Sequence, residues 1–161
     1  MTEEELESWK KTQNRHYMYY DGASKNNPRK AGAGGINYDP NGEKITTCQW
    51  GLGQMSNNQA EAYNLLMGSR LIQKKGIQNP IIIGDSTIII EIMARNRNPN
   101  NKFMSRIIQR TRRNLAGSGN ATFKHVLRMH NKQADHHANQ AVEKEEGIVR
   151  ENQEEYYLSV P

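Results

Sequence analysis

Apolar and polar residues alternate along the chain in segments whose lengths and periods are typical of strands and helices. Short runs rich in aromatic and β-branched residues, bounded by turn-like clusters, predict strands at residues 15–21, 32–38, 44–51, 80–84 and 121–129. Apolar residues three and four positions apart predict helices at residues 56–75, 102–115 and 132–146, and a short Ile-rich helix ends near residue 94. Strands and helices therefore alternate after an initial group of three strands.

Residues 56–75 form the clearest of the predicted helices. Ser56 stands three residues before Gln59, which is the spacing of a capping box at a helix N-terminus. One face of this helix is apolar and contains Ala62, Leu65, Leu66 and Ile72. The pattern predicts a helix that packs this face against a sheet.

The order of the elements predicts one α/β domain at residues 15–146. Short connections favour an antiparallel arrangement of the first three strands, and right-handed crossovers place the fourth and fifth strands parallel to the first. Residues 1–14 precede the domain as an N-terminal arm or a short helix, and residues 147–161 follow it as a Glu-rich acidic tail without a core pattern. We find no internal repeat.

Length and composition restrict the kind of protein further. A chain of 161 residues can bury a substantial core. Its single cysteine, Cys48, excludes an internal disulfide framework and a cysteine-based zinc site. No apolar stretch is long enough for a membrane span, and the acidic N-terminus does not resemble a signal peptide. We therefore expect an intracellular protein in a reducing compartment, with no membrane partner.

Charge is distributed unevenly along the chain. The formal net charge is +5, yet residues 1–13 hold four Glu against two Lys, and residues 142–161 hold six Glu against one Lys and one Arg. The body between these acidic ends is therefore more basic than the chain as a whole. Such a body attracts a polyanion such as a nucleic acid. The alternative is a protein with ordinary surface Lys and Arg residues.

Four acids of this basic body occupy the ends of predicted elements. Asp21 ends the first strand and Asp85 ends the fourth, while Glu61 and Asp135 lie in the first turns of two helices. The carboxyl ends of neighbouring parallel strands form one edge of an open α/β sheet, where such sheets bind their ligands. We therefore expect Asp21 and Asp85 at this edge, with the two helices bringing Glu61 and Asp135 to it.

Converging carboxylates suit hard cations such as Mg²⁺, which bind oxygen ligands and substrate phosphates. Two such ions about 4 Å apart can activate a water and stabilise the leaving oxygen of a phosphodiester. Taken alone, Asp21 is also explained as a turn residue, and Asp135 as an acid favoured by the helix dipole. Asp85 directly follows a buried Ile-rich strand and is harder to explain in this way. The joint placement favours a two-metal nuclease.

Each acid stands in a short motif, and the four motifs are Tyr20-Asp21-Gly22-Ala23-Ser24, Asn57-Asn58-Gln59-Ala60-Glu61-Ala62, Gly84-Asp85-Ser86 and Asn131-x-x-Ala134-Asp135. In order and spacing they resemble the motifs of ribonuclease H type 1. The segment Phe123-x-His125-Val126-x-Arg128 before the last motif most resembles the reverse-transcriptase-like branch of plants and retroelements. The similarity covers residues from about 15 to about 145.

This resemblance implies an RNase H-like α/β fold, with a five-stranded mixed sheet in the order 3-2-1-4-5 and helices on both faces. It implies an endoribonuclease that cleaves the RNA strand of RNA–DNA hybrids by two-metal-ion hydrolysis. The cofactors implied are two Mg²⁺ ions, with Mn²⁺ as a substitute. The metal ligands carried over are Asp21, Glu61, Asp85 and Asp135.

Contacts to the hybrid also follow from the resemblance. The loop after the first acid supplies Gly22, Ala23, Ser24, Asn26 and Asn27. Asn57 and Asn58 correspond to residues that contact the 2′-hydroxyls of RNA, which amide side chains can do as both donors and acceptors. Ser56 matches a position that contacts a DNA phosphate. Helix capping is an equally good explanation of Ser56 and Asn57.

Two features differ from the family or leave a role open. Many cellular members have a basic protrusion with a Trp after the third acid, and here no Trp follows Trp50. A basic set can replace it in part, or can simply face solvent, and it consists of Arg95, Arg97, Lys102, Arg106, Arg110 and Arg113. His130 is the candidate for the catalytic histidine that the family often has before the fourth acid.

Two other functions remain open at this stage. A catalytically weak or silent member of the fold could serve as a nucleic-acid-binding module in a larger reverse-transcriptase polyprotein of a retroelement, although none of the four acids is missing. A nuclease or integrase of the same fold could act on DNA, although Asn57 and Asn58 favour contacts to RNA. For each of these functions, including the ribonuclease, we expect a monomer.

Overall fold

The computed structural model describes residues 1–25 and 29–161, and within them it contains seven strands and five α-helices. The strands are β1 (Tyr17–Lys25), β2 (Lys30–Tyr38), β3 (Lys44–Gln54), β4 (Ile81–Gly84), β5 (Thr122–His125), β6 (Ile148–Glu151) and β7 (Glu154–Tyr157). The helices are α1 (Glu3–Gln13), α2 (Asn57–Lys74), α3 (Thr87–Ala94), α4 (Lys102–Leu115) and α5 (Lys132–Val142). No helix in the described ranges is both long and apolar enough to cross a membrane.

All seven strands form one mixed sheet in the order β5-β4-β1-β2-β3-β6-β7. β1, β2 and β3 pair antiparallel, while β4 pairs parallel with both β1 and β5. The inner five strands therefore have the predicted order and directions. This arrangement places the ends of β1 and β4 side by side at one edge of the sheet.

The prediction of a five-stranded sheet is wrong, because the Glu-rich segment 147–161 adds two strands. Val149 pairs with Trp50 of β3 and is fully buried. Glu151 is also buried, and its carboxylate lies 3.4 Å from Lys74 Nζ and 3.7 Å from Lys75 Nζ. Lys74 and Lys75, at the end of α2, compensate the negative charge of Glu151. The sequence alone does not show this pairing, so the Glu-rich segment resembles a solvated tail.

Helices cover both faces of the sheet. Successive strand residues point to opposite sides, and apolar residues on each side pack against a different set of helices. Met18, Tyr20 and Ile82 belong to the core that includes the apolar residues of α2 and α4. Ile81 and Ile83 point the other way and pack with Leu6 of α1. α5 lies against β1, β2 and β3. Of the two alternatives for residues 1–14, the structure has the helix, with Thr2 as the N-cap of a capping box.

The segment before α5 differs from the sequence prediction. The sequence pattern predicts a strand at residues 121–129, but β5 ends at His125, and Arg128–His130 form a 3-10 turn. Leu127 and Met129 are largely exposed in this segment, so their apolar character does not reflect a strand that is buried on one face. The turn brings the chain from the edge of the sheet to the start of α5.

Candidate active site

Three of the predicted carboxylates meet at the edge where β1 and β4 end. One oxygen each from Asp21, Glu61 and Asp85 lies within 4.8 Å of the other two. Asp21 belongs to β1 and Asp85 directly follows β4, its parallel neighbour, while Glu61 comes from the second turn of α2. The parallel pairing of β1 with β4 therefore brings these acids together, as the sequence pattern predicts.

Gly22 explains how α2 comes so close to β1. A Cβ atom at this position would lie 2.5 Å from the carbonyl carbon of Ala60 and 2.6 Å from the backbone nitrogen of Glu61, so that only glycine fits. The Gly22 N–H donates to Asp21 Oδ1 at 3.0 Å and to Glu61 Oε1 at 3.2 Å. One backbone amide therefore holds both carboxylates in place.

The three acids are costly to keep ionised in this position. Burial, followed by the hydrogen bond to Glu61 and then by the charge of Glu61, raises the pKa of Asp21 to about 10. Burial raises the pKa of Glu61 to about 7, and Asp85 adds to the effect. Glu61 Oε2 is buried and has no hydrogen-bond partner among the described residues. An oxygen-rich site with this charge and an unpartnered oxygen fits a divalent cation such as Mg²⁺.

Asp135, the fourth acid, lies on the same cleft, which has a volume of about 400 Å³ and also contains Asp21, Glu61 and Asp85. It is half-buried, and it is not part of the close group of three. The charge of Asp135 also raises the pKa of Asp85, so the four acids form one electrostatic group. Asp135 is therefore suited to bind a metal ion in the cleft as a more exposed ligand than Asp21 and Glu61.

Arg128 is a cleft residue to which the sequence analysis gave no role. Its Nη2 lies 3.9 Å from Asp135 Oδ1, and its side chain is 83% exposed. The positive charge of Arg128 lowers the pKa of Glu61 and of Asp85, opposing the effect of burial. Only its place seven residues before Asp135, in the same closing motif, could have indicated this position from the sequence.

Asn131 fixes the start of α5 beneath these acids. It is 1% exposed, and its Nδ2–H donates to the carbonyl oxygen of Tyr20 at 2.8 Å. Its side chain also lowers the pKa of Asp85, although burial outweighs this effect and leaves that pKa raised. Asn131 thus joins the helix that provides Asp135 to the strand that provides Asp21.

Comparison with known proteins agrees with this arrangement. The profile of the family described as Reverse transcriptase-like matches residues 19–141, which span β1 to α5 and include all four acids. This chain belongs to that family. The resemblance of its motifs to ribonuclease H type 1 is thereby confirmed.

Individual members of the ribonuclease H group are also similar to this chain. Ribonuclease HI of Halobacterium salinarum is 29% identical over 129 residues, which is 80% of this chain and 65% of the relative. The crystal structure of RNase H1 from the same archaeon has a TM-score of 0.74 and covers 80% of this chain and 97% of that one. A complex of LC11-RNase H1 with an RNA/DNA hybrid has a TM-score of 0.73 at 22% identity, covering 80% and 96%.

Most of the residues that the sequence analysis expects to contact a hybrid line the acidic cleft of this Reverse transcriptase-like protein. Gly22, Ala23, Ser24, Asn57 and Asn58 line it, and both asparagines are exposed at the start of α2. Ser56 acts as the N-cap of α2, where its side chain accepts from the Gln59 N–H, and it is not among the residues that line the cleft. Asn26 and Asn27 lie outside the described residues.

His130 is not brought to the acids. It lines a separate cavity with Met1 and Leu6 of the N-terminal segment, and it does not line the cleft that holds the four acids. The 3-10 turn directs Arg128 rather than His130 toward the acidic cleft. A catalytic role for His130 therefore stays a prediction from the resemblance alone.

The raised pKa values predict how the stability of the metal-free protein depends on pH. Unfolded Asp21 and Glu61 would ionise near pH 4, whereas the folded protein retains their protons to higher pH. Because the folded state binds more protons in this window, the free energy of unfolding falls as the pH rises from about 4 to 7 and above. Mg²⁺ should restore stability, and more so at pH 8 than at pH 5.

Thermal unfolding in EDTA and in Mg²⁺ at several pH values measures this effect. Asp21→Asn removes a carboxyl group that must take up a proton on folding at pH 8. At this pH in EDTA its Tm should therefore exceed that of the unmodified protein, by about 2–4 °C for each kcal/mol recovered. Glu43→Gln, which removes an exposed acid just before β3, serves as the control. A Tm for Asp21→Asn below that of the unmodified protein would contradict the proposed repulsion among the acids.

Proposed function

We propose that this protein is an endoribonuclease that cleaves the RNA strand of RNA–DNA hybrids by hydrolysis of phosphodiester bonds with two divalent metal ions. The observation on which this rests is the convergence of Asp21, Glu61, Asp85 and Asp135 on one open cleft. The similar protein from Halobacterium salinarum is named a ribonuclease HI, and LC11-RNase H1 has been crystallised with a hybrid. Since the aligned part spans 65% of the curated relative, the activity itself is part of the proposal.

The four acids would hold the ions, either Mg²⁺ or Mn²⁺, through carboxylate oxygens. When bound, the metals supply an activated water and stabilise the charge on the leaving oxygen. Asp21 and Glu61 are held by the Gly22 N–H, which fixes their oxygens before any ligand arrives. Asn131 ties Tyr20 to the start of α5, so the two sides of the cleft keep their spacing.

Basic and amide side chains around the acids suit a nucleic acid. The exposed guanidinium of Arg128 stands at the rim beside Asp135, where it can pair with a backbone phosphate. Lys25 also lines the cleft and is exposed. These cations attract the polyanion to a site whose acids alone would repel it.

Selection of RNA would come from the start of α2. Asn57 and Asn58 are exposed there and line the cleft. A 2′-hydroxyl both donates and accepts hydrogen bonds, and an amide side chain can satisfy both roles. A DNA strand lacks this group, so we infer that the strand over Asn57 and Asn58 is RNA and the opposite strand is DNA.

Cleavage of end-labelled substrates of one sequence tests the proposal. We expect internal cleavage of the RNA strand in an RNA–DNA hybrid with Mg²⁺ or Mn²⁺, no cleavage of duplex DNA, and loss of activity in EDTA. Duplex RNA serves as the control for the requirement of a DNA strand. Equal cleavage of duplex DNA and hybrid, or activity that persists in EDTA, would contradict the proposed function.

A further inference from the structure

The loop between α3 and α4 has a defined shape although it contains no regular secondary structure. It begins at Arg95, whose N–H donates to the Glu91 carbonyl at 3.0 Å, and Arg97 N–H turns back to the Ile92 carbonyl at 3.0 Å. Asn96 adopts a left-handed conformation with φ 52°. The chain thus winds tightly around the end of α3 before α4 begins at Lys102.

Arg112 of α4 holds this loop from the other side. Its Nη1 donates to Asn98 Oδ1 at 2.8 Å, and its Nη2 donates to the carbonyl oxygen of Ile92 at 3.0 Å and to that of Arg97. Three acceptors around one planar guanidinium fix both the position and the orientation of the loop. The guanidinium of Arg112 therefore binds acceptors within the protein, and its role is to hold the loop rather than to contact a ligand.

The loop that Arg112 fixes displays two other arginines. Arg95 and Arg97 are exposed, and neither forms a salt bridge to a described carboxylate. Glu91 is the single acid in the sequence between residues 86 and 134. The surface formed by the loop and α4 is therefore strongly basic and suits the phosphates of a nucleic acid.

This loop lies within reach of a duplex in the acidic cleft. α3 starts beside Ser86, a cleft residue, and its eight residues extend for about 12 Å to the loop. A nucleic-acid strand advances about 3.4 Å per nucleotide along the helix axis, so the distance corresponds to three or four nucleotides. A hybrid that occupies the cleft and extends alongside α3 would therefore reach Arg95 and Arg97.

We propose that Arg112 is a positioning residue, which holds the α3–α4 loop so that Arg95 and Arg97 bind phosphates of the nucleic acid in the acidic cleft. The proposal rests on the proposed function for the identity of the ligand. The two arginines provide the charge, and Arg112 provides their placement. Removing either component should cause the same loss of binding.

Equilibrium binding of a labelled RNA–DNA hybrid in EDTA, at several salt concentrations, tests this role. Arg112→Gln and the double variant Arg95→Gln/Arg97→Gln should each reduce the slope of log affinity against log salt by about 1.4–1.8, which corresponds to two phosphate contacts. Combining all three substitutions should add little beyond the double variant, because both changes remove the same contacts. In Mg²⁺, kcat at saturating hybrid should stay within about twofold while KM rises.

Arg112→Lys separates positioning from direct contact. A lysine keeps the positive charge but cannot bond three acceptors in one plane, so its salt slope should match that of Arg112→Gln. Arg15→Gln is the control, because Arg15 also bonds several backbone oxygens, those of Asn79, Pro80 and Asn120, but at the start of β4 and β5. It should lower Tm and leave the salt slope unchanged.

Several results would overturn the positioning role. An Arg112→Gln variant that loses only thermal stability, or an Arg112→Lys variant with the full salt slope, would do so. If Arg112→Gln failed to fold, an unchanged salt slope in the Arg95→Gln/Arg97→Gln variant would still overturn the positioning role, because both substitutions are at exposed positions. Failure of the proposed function would appear separately, as unmodified protein that binds the hybrid with the same salt dependence but does not cleave it.

Discussion

Replacing Asp85 with asparagine is expected to abolish cleavage of the RNA–DNA hybrid while the fold remains intact. One carboxylate oxygen of Asp85 lies within 4.8 Å of an oxygen of Asp21 and one of Glu61, so the substitution removes one of the three closely spaced carboxylates available to the metal ions. The fall in kcat should be about 10³-fold or greater, comparable to the largest losses seen when one preorganised electrostatic group is removed.

The stability of the same variant gives an independent check. Burial raises the pKa of Asp85, so its charged form is unfavourable in the metal-free protein, and the neutral amide should leave Tm unchanged or raise it. Glu91→Gln is a matched control, since it removes an exposed acid from the next helix outside the cleft. Near-normal turnover of Asp85→Asn at saturating Mg²⁺ would refute the assignment of the four acids.

Replacing Gly34 with alanine is expected to have the largest effect on stability. A Cβ atom at this position would lie 2.3 Å from the backbone nitrogen of Ala138 and 2.6 Å from the carbonyl carbon of His137. These are backbone atoms of α5 that cannot move aside singly, so the whole helix must shift away from β2. Overpacking of this kind costs about 1–3 kcal/mol or more.

Activity should fall together with stability, because α5 also contains Asp135. The free energy of unfolding from urea titration and the rate of hybrid cleavage measure the two effects. Gly117→Ala is the control, since a Cβ atom there would meet nothing within 4 Å. If Gly34→Ala unfolded at the same urea concentration as the unmodified protein, the close packing of α5 on β2 would be wrong.

The sequence predicts the inner sheet and the acidic site well, because both depend on local patterns. The continuous apolar run Ile81–Ile83 predicts a buried strand, and Asp85 follows it after the single residue Gly84. Asp21 ends another apolar run before a glycine that the structure shows to be essential for packing. Right-handed crossovers favour a parallel β4 beside β1, and this arrangement places Asp21 and Asp85 at the same edge of the sheet.

Features that depend on distant partners could not be predicted in this way. Glu151 resembles a solvated residue until Lys74 and Lys75, from another helix, are placed beside its carboxylate. The same holds for Arg128 and His130, which are two residues apart in one turn. Their side chains reach different cavities, and only the geometry of the turn decides which of them reaches the acids.

The pairing of β6 with β3 has a consequence for how the chain acquires its structure during synthesis. Trp50 pairs with Val149, so the outer edge of β3 gains its partner only after about 100 further residues have been made. At roughly 5–20 residues per second, that edge stays open for about 5–20 s. An unpaired strand edge can join a strand of another chain. Newly made molecules should therefore be most prone to aggregation in this interval, and slower translation of the second half would lengthen the period of risk.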